Sequence, residues 1–262
     1  MLFRSEYLEH SVHGPSWKTV HEQWKVALAI VAKNTAVRTY TSTSVVMKAG
    51  RKYNYDADVT YHNEGTVVAT RKIEFKYGAA NICELPQILS LQAKMNLFEN
   101  TYDVFYYKHY IDKYLACDSE LSTVEKPSLD VYLKHVTRTT YSTTPFFEKL
   151  KERELSFETE KDAVVNQSIA DYLATYAHTI NLSFFSDKLQ TTQRDKIYLL
   201  WSKGTFHYDT ISDAEMTGIA FQSIRKGNVL VLQAGQASYE LLLRWRNHKG
   251  ILNPAWQISM KH

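Results

Sequence analysis

Residues 53–77 read YNYDADVTYHNEGTVVATRKIEFKY, and this stretch decides the fold of the N-terminal part of the chain. Between Tyr53 and Tyr61, aromatic and small apolar residues alternate with polar ones, a period of two that is typical of a half-buried β-strand. Asn63-Glu64-Gly65 has the composition of a turn, and alternation resumes over Val67–Tyr77. The stretch therefore predicts a β-hairpin.

The register of this hairpin places acidic residues opposite one another. With the turn centred on Gly65, residues whose numbers add up to 130 face each other, so Asp56 lies opposite Glu74. Side chains in such positions have Cβ atoms roughly 4.5–5.5 Å apart. Lys76 shares the face of Glu74 because side chains two residues apart in a strand point the same way. Asp58 shares this face too, and a register slip of two would exchange it for Asp56.

Facing carboxylates repel each other unless a cation or an ammonium group neutralises them. Mg²⁺ takes one or two carboxylates and fills its other positions with water and phosphate oxygens, so Asp56 and Glu74 are candidate metal ligands. With Lys76 beside them, the three residues have the equipment for metal-assisted phosphodiester hydrolysis. The alternative is a solvated hairpin face on which Lys72 and Lys76 form salt bridges with the two acids.

The elements around the hairpin predict an α+β fold with a mixed central β-sheet flanked by helices. Ser16 is suited to cap a helix of about four turns that begins at Trp17. The other elements predicted in the first 120 residues are a strand over Thr39–Met47, a turn over 49–52, a helix from Pro86 through Phe98, a short strand over Asp103–Tyr107 and a helical piece over Tyr110–Leu115.

Composition divides the chain into three regions, namely a core over 1–120, a helical region over 121–195 and a β-rich, basic region over 196–262. In the middle region, Pro145 is suited to open a short helix, and a longer helix carries apolar residues from Val165 to Ile180. The last region either stands alone or packs on the core as one domain.

The hairpin resembles the motif of the PD-(D/E)XK nuclease superfamily, which includes many type II restriction endonucleases. The Asp of that motif corresponds to Asp56, and its Glu-x-Lys corresponds to Glu74-Phe75-Lys76, while Tyr55 stands where the family has Pro. The predicted order of helix, strand, hairpin, helix and strand over residues 16–107 is similar to the family's core as well.

The resemblance implies a restriction-endonuclease-like core and a nuclease that depends on Mg²⁺, with Mn²⁺ as a substitute. Asp56 and Glu74 would hold the metal, and Lys76 would orient or deprotonate the attacking water or stabilise the charge on the phosphorane. Some members add an acid from the first helix, which makes Glu22 a further candidate, although it also fits the wet face of an amphipathic helix. Gln87, on the helix predicted after the motif, could reach a metal-bound water or be plain helix surface.

The C-terminal segment from Arg225 to His262 carries six Lys or Arg residues against one acid, Glu240. A strand over residues 241–246 would bury alternate side chains and aim Arg244 and Arg246 together from its other face. Such a pair can bridge phosphates or read guanine edges, and Lys249 adds a donor in the next turn. The alternative is an edge strand that basic residues keep soluble.

A second basic group lies in the turn before the Asp56 strand. Lys48, Arg51 and Lys52 would sit near the metal end of the hairpin and are candidates for contacts with backbone phosphates, although surface solubility explains them equally well. Because the net charge of the chain is only +3, any phosphate-binding surface must come from such local groups.

Composition excludes several classes of protein. The two cysteines, Cys83 and Cys117, do not make a disulfide framework and indicate free thiols in a reducing compartment. No apolar run approaches the ~18–20 residues that span a bilayer, and the first residues lack the apolar stretch of a secretory signal. We therefore expect a soluble intracellular protein, cytoplasmic or nuclear. Zinc-ligand spacings, phosphate-binding glycine loops and the Gly-x-Ser-x-Gly elbow are absent from the sequence.

Three functions are compatible with these patterns. The first is a Mg²⁺-dependent DNA endonuclease that works as a homodimer, because a two-fold dimer supplies one site for each strand of the duplex. The second is an RNA endonuclease on the same core, such as a cap-snatching type, since substrate choice depends on groove fit and 2′-OH contacts. The third is a non-catalytic protein that binds nucleic acid and whose hairpin charges are salt bridges.

Overall fold

The computed structural model describes residues 17–48, 53–138, 144–155 and 158–262, with the side chains of the first helix given from Gln23 onward. The chain forms two compact units. Unit 1 comprises the residues up to Leu85 together with Gln190–Asp213, and unit 2 comprises Pro86–Leu189 together with Ala214–His262. These units do not follow the divisions at 120 and 195 that composition suggests, because the first two strands after residue 195 join the sheet of the hairpin while the later ones form the sheet of unit 2.

Unit 1 is built on a five-stranded mixed sheet in the order β1-β2-β3-β5-β6. All neighbouring strands are antiparallel except β3 and β5, which are parallel. The elements of this unit are helix α1 (Trp17–Asn34) and strands β1 (Ser42–Met47), β2 (Ala57–Asn63), β3 (Thr66–Tyr77), β5 (Lys196–Ser202) and β6 (Thr205–Asp209), with a 3₁₀ turn at Ile82–Glu84.

The predicted hairpin and its register are confirmed from the base of the hairpin to Tyr61. Ala57 pairs with Ile73, and the same register continues to Tyr61 and Ala69. It shifts by one residue at a bulge between Tyr61 and His62. The turn follows at Glu64 and Gly65, which both have positive φ angles, 49° and 82°. Glycine adopts such an angle without steric cost, which explains its place in the predicted turn.

One face of this sheet is covered by α1. The helix contributes apolar residues at three- and four-residue spacing, and the strands contribute alternate residues, which is how each element hides one face from water. The buried residues of this core are Ala27, Leu28, Val31, Ala32, Val59, Tyr61, Ile73, Ile197 and Leu199. Tyr61 donates its hydroxyl hydrogen to the carbonyl of Leu28 at 2.8 Å. The opposite face, which carries Asp56 and Glu74, is therefore the polar one.

Unit 2 contains a five-stranded antiparallel sheet in the order β4-β10-β9-β8-β7. Its strands are β4 (Leu89–Gln92), β7 (Ala220–Arg225), β8 (Val229–Ala234), β9 (Ala237–Trp245) and β10 (Pro254–Lys261). Its helices are α2 (Tyr102–His109), α3 (Ile111–Leu115), α4 (Leu129–Val136), α5 (Pro145–Glu152) and α6 (Glu158–Tyr176), with 3₁₀ turns at Leu121–Thr123 and Ala177–Thr179. Helix α7 (Leu182–Gln193) contains the boundary between the units. The short helix at Pro145, the long one through Val165 and the β-rich end of the chain are confirmed.

An aromatic core fills unit 2 between its helices and its sheet. Trp256 on β10 is fully buried, with its ring 5.1 Å from that of Phe98 and 6.3 Å from that of Tyr172. Trp245 on β9 packs edge-on against Tyr106, at 5.0 Å. The high tyrosine content of the chain is thus used largely to fill this core, where a ring supplies buried area and its hydroxyl a polar tip.

Two predicted elements are wrong. No helix follows Pro86: residues 89–92 form an edge strand, in which Leu91 pairs with Trp256 of β10. Apolar residues at positions 88, 91, 95 and 98 fit a helix in the sequence, but pairing with β10 decides the conformation. Residues 103–107 lie in helix α2 and not in a strand. Tyr102 and Tyr106 are four residues apart and both fully buried, so tertiary packing overrides the strand preference of aromatic residues.

The overall class is α+β, with one mixed and one antiparallel sheet flanked by helices, as the sequence predicts. Among the residues described, no helix combines the length and apolar character needed to cross a bilayer.

Candidate active site

Asp56 immediately precedes β2, at the base of the hairpin. Its backbone N–H donates to the carbonyl of Ile73 at 2.8 Å. Its carboxylate oxygen Oδ2 accepts a hydrogen bond from the backbone N–H of Phe75, also at 2.8 Å. Its carbonyl oxygen accepts a hydrogen bond from the backbone N–H of Lys48 at 2.8 Å. Among the described residues, nothing else forms a hydrogen bond or an ion pair with its carboxylate, and Oδ1 has no partner there.

Glu74 lies on β3, one step beyond the last ladder pair between β2 and β3, and its side chain is only 14% exposed. One of its oxygens, Oε1, forms an ion pair with Lys76, two residues along the same strand. The other, Oε2, lies 3.6 Å from Nζ of Lys196. Both oxygens of Glu74 therefore face ammonium groups.

Lys196 is a member of this cluster that sequence reasoning misses. It is the first residue of β5, and parallel pairing with β3 places it beside Lys72, two residues before Glu74 on the neighbouring strand. A lysine at the start of a strand ordinarily faces solvent, whereas this side chain is only 5% exposed. No local signal reports the pairing, because β3 and β5 are separated in sequence by most of unit 2.

The electrostatics of the cluster follow from this burial. Burial raises the pKa of Asp56, and so does the nearby charge of Glu74, while the Phe75 hydrogen bond and the two lysines oppose the rise. Burial also lowers the pKa of Lys196, against the opposing attraction of Glu74. The Asp56 carboxylate is thus under-compensated in its ionised form, which favours an additional positive group beside it.

Asp58, the other candidate ligand, is occupied elsewhere. It lies on the same face of β2, but its Oδ2 forms a 2.7 Å ion pair with Nζ of Lys48. The two side chains are 22% and 18% exposed, respectively. Asp58 is thus paired with Lys48, whereas Asp56 lies near enough to Glu74 for their charges to interact.

The donor set at Asp56 and Glu74 fits one Mg²⁺ ion, although it is small. Nowhere in ranges 17–48, 53–138, 144–155 and 158–262 do three or more His, Cys, Asp or Glu side chains form a metal-binding group. Mg²⁺ does not need such a group, because it is commonly held by one or two carboxylates and takes its other ligands from water and phosphate. Oδ1 of Asp56, which has no partner among the described residues, would provide one position, and Glu74 would provide a second if Lys76 moved aside.

Comparisons with protein-family models, with curated proteins and with solved structures found no match to this chain.

The remaining predicted residues of the nuclease site are Glu22, Arg51, Lys52 and Gln87. Arg51, Lys52 and the side chain of Glu22 lie outside the described residues. Gln87 lies in the irregular segment before β4, which belongs to unit 2. The prediction that placed it on a helix after the motif is wrong.

The basic surface of unit 2 follows the predicted alternation along β9. Leu241 and Leu243 are buried, while Arg244 and Arg246 are exposed. Their guanidinium groups contact neutral side chains, Gln257 at 2.9 Å and Ser90 at 3.0 Å.

Lys249 differs from the two arginines because it forms an ion pair with Asp162 at 2.8 Å. Arg225 is paired as well, with Glu240 at 2.7 Å. Across the described part of the chain, neither Arg244 nor Arg246 has an acidic partner. These two arginines therefore carry the uncompensated positive charge of this surface.

Proposed function

We propose that this protein is a divalent-cation-dependent nuclease that hydrolyses phosphodiester bonds, with double-stranded DNA as the preferred substrate. The observation that supports it best is the partly buried cluster of charged side chains that Asp56, Glu74 and Lys76 form at the base of one hairpin. Neighbouring acids repel each other unless positive groups neutralise them. The two lysines pair with Glu74, whereas Asp56 forms no ion pair among the described residues, and a bound cation would neutralise it. The motif resemblance points to the same residues.

Asp56 and Glu74 would hold the cation. When bound, a Mg²⁺ ion would act as a Lewis acid, polarising the scissile phosphate and stabilising the departing 3′ oxygen. Asp56 is the fixed ligand, because the backbone N–H of Phe75 sets the orientation of its carboxylate. Glu74 is the ligand that would have to change partners, since its two oxygens already form ion pairs with Lys76 and Lys196.

Lys76 would act on the nucleophile. Its side chain is 35% exposed, so its ammonium group can leave Glu74 and reach the solvent side of the site, where substrate would enter. There it can hold the attacking water by a hydrogen bond, or offset the negative charge that grows on the phosphate oxygens as the water adds and the 3′ oxygen departs. Both roles require the positive charge or the hydrogen-bond donors of the amine.

Unit 2 would contribute contacts with the nucleic acid. The guanidinium groups of Arg244 and Arg246 are exposed, adjacent on one sheet face and without acidic partners in the described chain, so they can bind phosphates or guanine edges. Cleavage of both strands of a duplex requires two sites, which a two-fold homodimer would supply.

The competing function is nucleic-acid binding without catalysis. The ion pairs of Glu74 with Lys76 and Lys196 favour it, because they neutralise the acid without any metal. The two functions differ in what they demand of Asp56, whose raised pKa and open oxygen a merely structural salt-bridge cluster would not need.

Hydrolysis assays separate these functions. Purified protein is incubated with supercoiled plasmid, single-stranded DNA and RNA, each with Mg²⁺ and with EDTA. We expect Mg²⁺-dependent cleavage of the plasmid, and loss of about 10²-fold or more of the rate in Asp56→Asn and Lys76→Met. If only RNA is cleaved, the protein is an RNA endonuclease and not a DNA endonuclease.

Two matched controls sharpen this test. Lys72→Met makes the same change as Lys76→Met on the same strand and face, at a lysine that pairs with the exposed Asp195 at 3.6 Å. Asp58→Asn makes the same change as Asp56→Asn at the aspartate paired with Lys48. Both controls should keep most of the activity. Full activity in the Asp56 and Lys76 variants would overturn the proposal. So would a native protein that binds nucleic acid but does not cleave it.

A further inference from the structure

The two lysines that contact Glu74 differ in how far their side chains are exposed to solvent. The side chain of Lys76 is 35% exposed, whereas that of Lys196 is 5% exposed. The ammonium of Lys196 lies 5.5 Å from the ring centroid of Tyr198. Tyr198 is itself fixed by a buried hydrogen bond from its hydroxyl to Oε1 of Gln193, at 2.7 Å. Lys196 is thus packed in place, while Lys76 can swing into solvent.

Before a cation binds, Glu74 requires at least one of these lysines as a partner. An ionised carboxylate that is mostly buried is costly unless it is paired. A divalent cation that approaches Glu74 is repelled by an ammonium group already bound to the same oxygen, so one lysine must leave when the cation binds. A carboxylate has about four lone-pair sites on two oxygens, so one oxygen can bind the cation while the other keeps its lysine.

We propose that Lys196 is a positioning residue of the site, which stays on Oε2 of Glu74 in the loaded state while Lys76 leaves Oε1 and becomes available for the water or phosphate. This inference depends on the proposed function, because it concerns how the same site accepts its cation. Lys196 keeps Glu74 oriented and compensated throughout, and the binding of the cation itself releases Lys76. Binding of the cation would thus free Lys76 to act on the attacking water.

The experiment observes the lysine ammonium groups directly. Two-dimensional ¹H–¹⁵N spectra of the ammonium groups are recorded on the full chain during titration with Mg²⁺, and Lys76→Met and Lys196→Met assign the two signals. We expect the Lys196 signal to be visible before and after the titration with little change, because the group is buried and stays paired. The Lys76 signal should shift toward that of a free lysine or broaden by exchange with water.

The outcomes distinguish this inference from the proposed function. If Mg²⁺ moves the Lys196 signal and leaves that of Lys76 in place, the roles are reversed and the inference fails while the site remains a cation site. If Mg²⁺ changes neither signal, in the native chain and in Asp56→Asn alike, the proposed function fails and the inference with it. A change that occurs in the native chain and is abolished in Asp56→Asn ties the release of Lys76 to the cation.

A kinetic measurement adds a second readout. Loss of a residue that orients a metal ligand typically costs about 10- to 100-fold in activity. We expect a loss of that size in Lys196→Met at saturating Mg²⁺, with a folded chain by circular dichroism, and a larger loss in Lys76→Met. A folded Lys196→Met variant with unchanged activity would contradict the positioning role.

Discussion

The Asp56 carboxylate accepts a 2.8 Å hydrogen bond from the backbone N–H of Phe75, across the open end of the hairpin. Phe75 directs its ring to the opposite face of the sheet, 6.2 Å from that of Trp24, so the aromatic side chain anchors the backbone that positions the acid. The bond continues the pairing of β3 beyond the last ladder pair, Ala57 with Ile73. Packing on the apolar face of the sheet thus fixes the aspartate on its polar face.

The affinity of the site for Mn²⁺ should depend on pH through Asp56. Burial and the charge of Glu74 raise the pKa of this carboxyl above its usual 3.8. Because the cation binds only the ionised form, affinity should fall as the pH is lowered, by about tenfold per pH unit below that raised pKa. Mn²⁺ titrations followed by electron paramagnetic resonance at several pH values measure this.

The raised pKa of Asp56 also determines how this residue affects the pH dependence of folding stability. The native chain holds the Asp56 proton more tightly than the unfolded chain does, so protonation of Asp56 contributes to stability at low pH, and this contribution is lost as the pH rises through the raised pKa.

The Lys76→Met variant tests the environment of Asp56. In this variant the pH midpoint of Mn²⁺ binding should move to higher pH, since Lys76 lowers the pKa of Asp56. A midpoint at the ordinary value, unmoved by that substitution, would count against the assigned environment.

Gly250 in unit 2 should be far less tolerant of alanine than Gly218. Both have positive φ angles, 76° and 61°, which cost an L-residue roughly 1–2 kcal/mol. A Cβ at Gly250 would lie 2.3 Å from Cε2 of Tyr114, whereas one at Gly218 would have no atom within 4 Å. Overpacking adds about 1–3 kcal/mol to the cost at Gly250.

Chemical denaturation of the two alanine variants checks this difference. Gly218→Ala is the matched control, because it makes the same substitution in the same unit and also in the left-handed region. Equal midpoints for the two variants would show that the Tyr114 ring yields without cost.

Binding of DNA should depend on Arg244 and Arg246 more than on Lys249. The arginines contact neutral side chains, whereas Lys249 is already paired with Asp162. Replacing either arginine with glutamine should weaken binding and reduce the slope of log affinity against log salt by about one, since one phosphate contact is lost. Fluorescence anisotropy over a range of salt concentrations measures both quantities.

Lys249→Gln is the control for that series and should change the slope less. A slope that is the same in all three variants and in the native chain would place the nucleic acid on another surface.

The hairpin was predictable because its determinants are local. Alternation fixed the faces, the Asn63-Glu64-Gly65 turn fixed the register, and the pairing of Ala57 with Ile73 follows from both. The alternation along β9 likewise predicted that Arg244 and Arg246 share a face. In the hairpin, each residue is close in sequence to its cross-strand partner, because one short turn joins the two strands.

Partners that are distant in sequence were not predictable. Lys196 joins Glu74 only through the parallel pairing of β5 with β3, and nothing in its own strand reports that pairing. The segment after Pro86 has apolar spacing compatible with a helix, and only β10, at the other end of the chain, makes it a strand. The ion pair of Asp58 with Lys48 was not predicted either, because nothing in the hairpin pattern directs Lys48 to that residue.

The most direct test of the central claim is a crystal soaked with Mn²⁺ and measured at the manganese absorption edge. We expect one anomalous peak at coordination distance, about 2.1 Å, from Oδ1 of Asp56 and from a carboxylate oxygen of Glu74. Lys76 should be turned away from Glu74 in that crystal, and Lys196 should still be in contact with it. Absence of a peak at high Mn²⁺ concentration, with both lysines still on Glu74, would show that this cluster is a set of structural salt bridges and not a cation site.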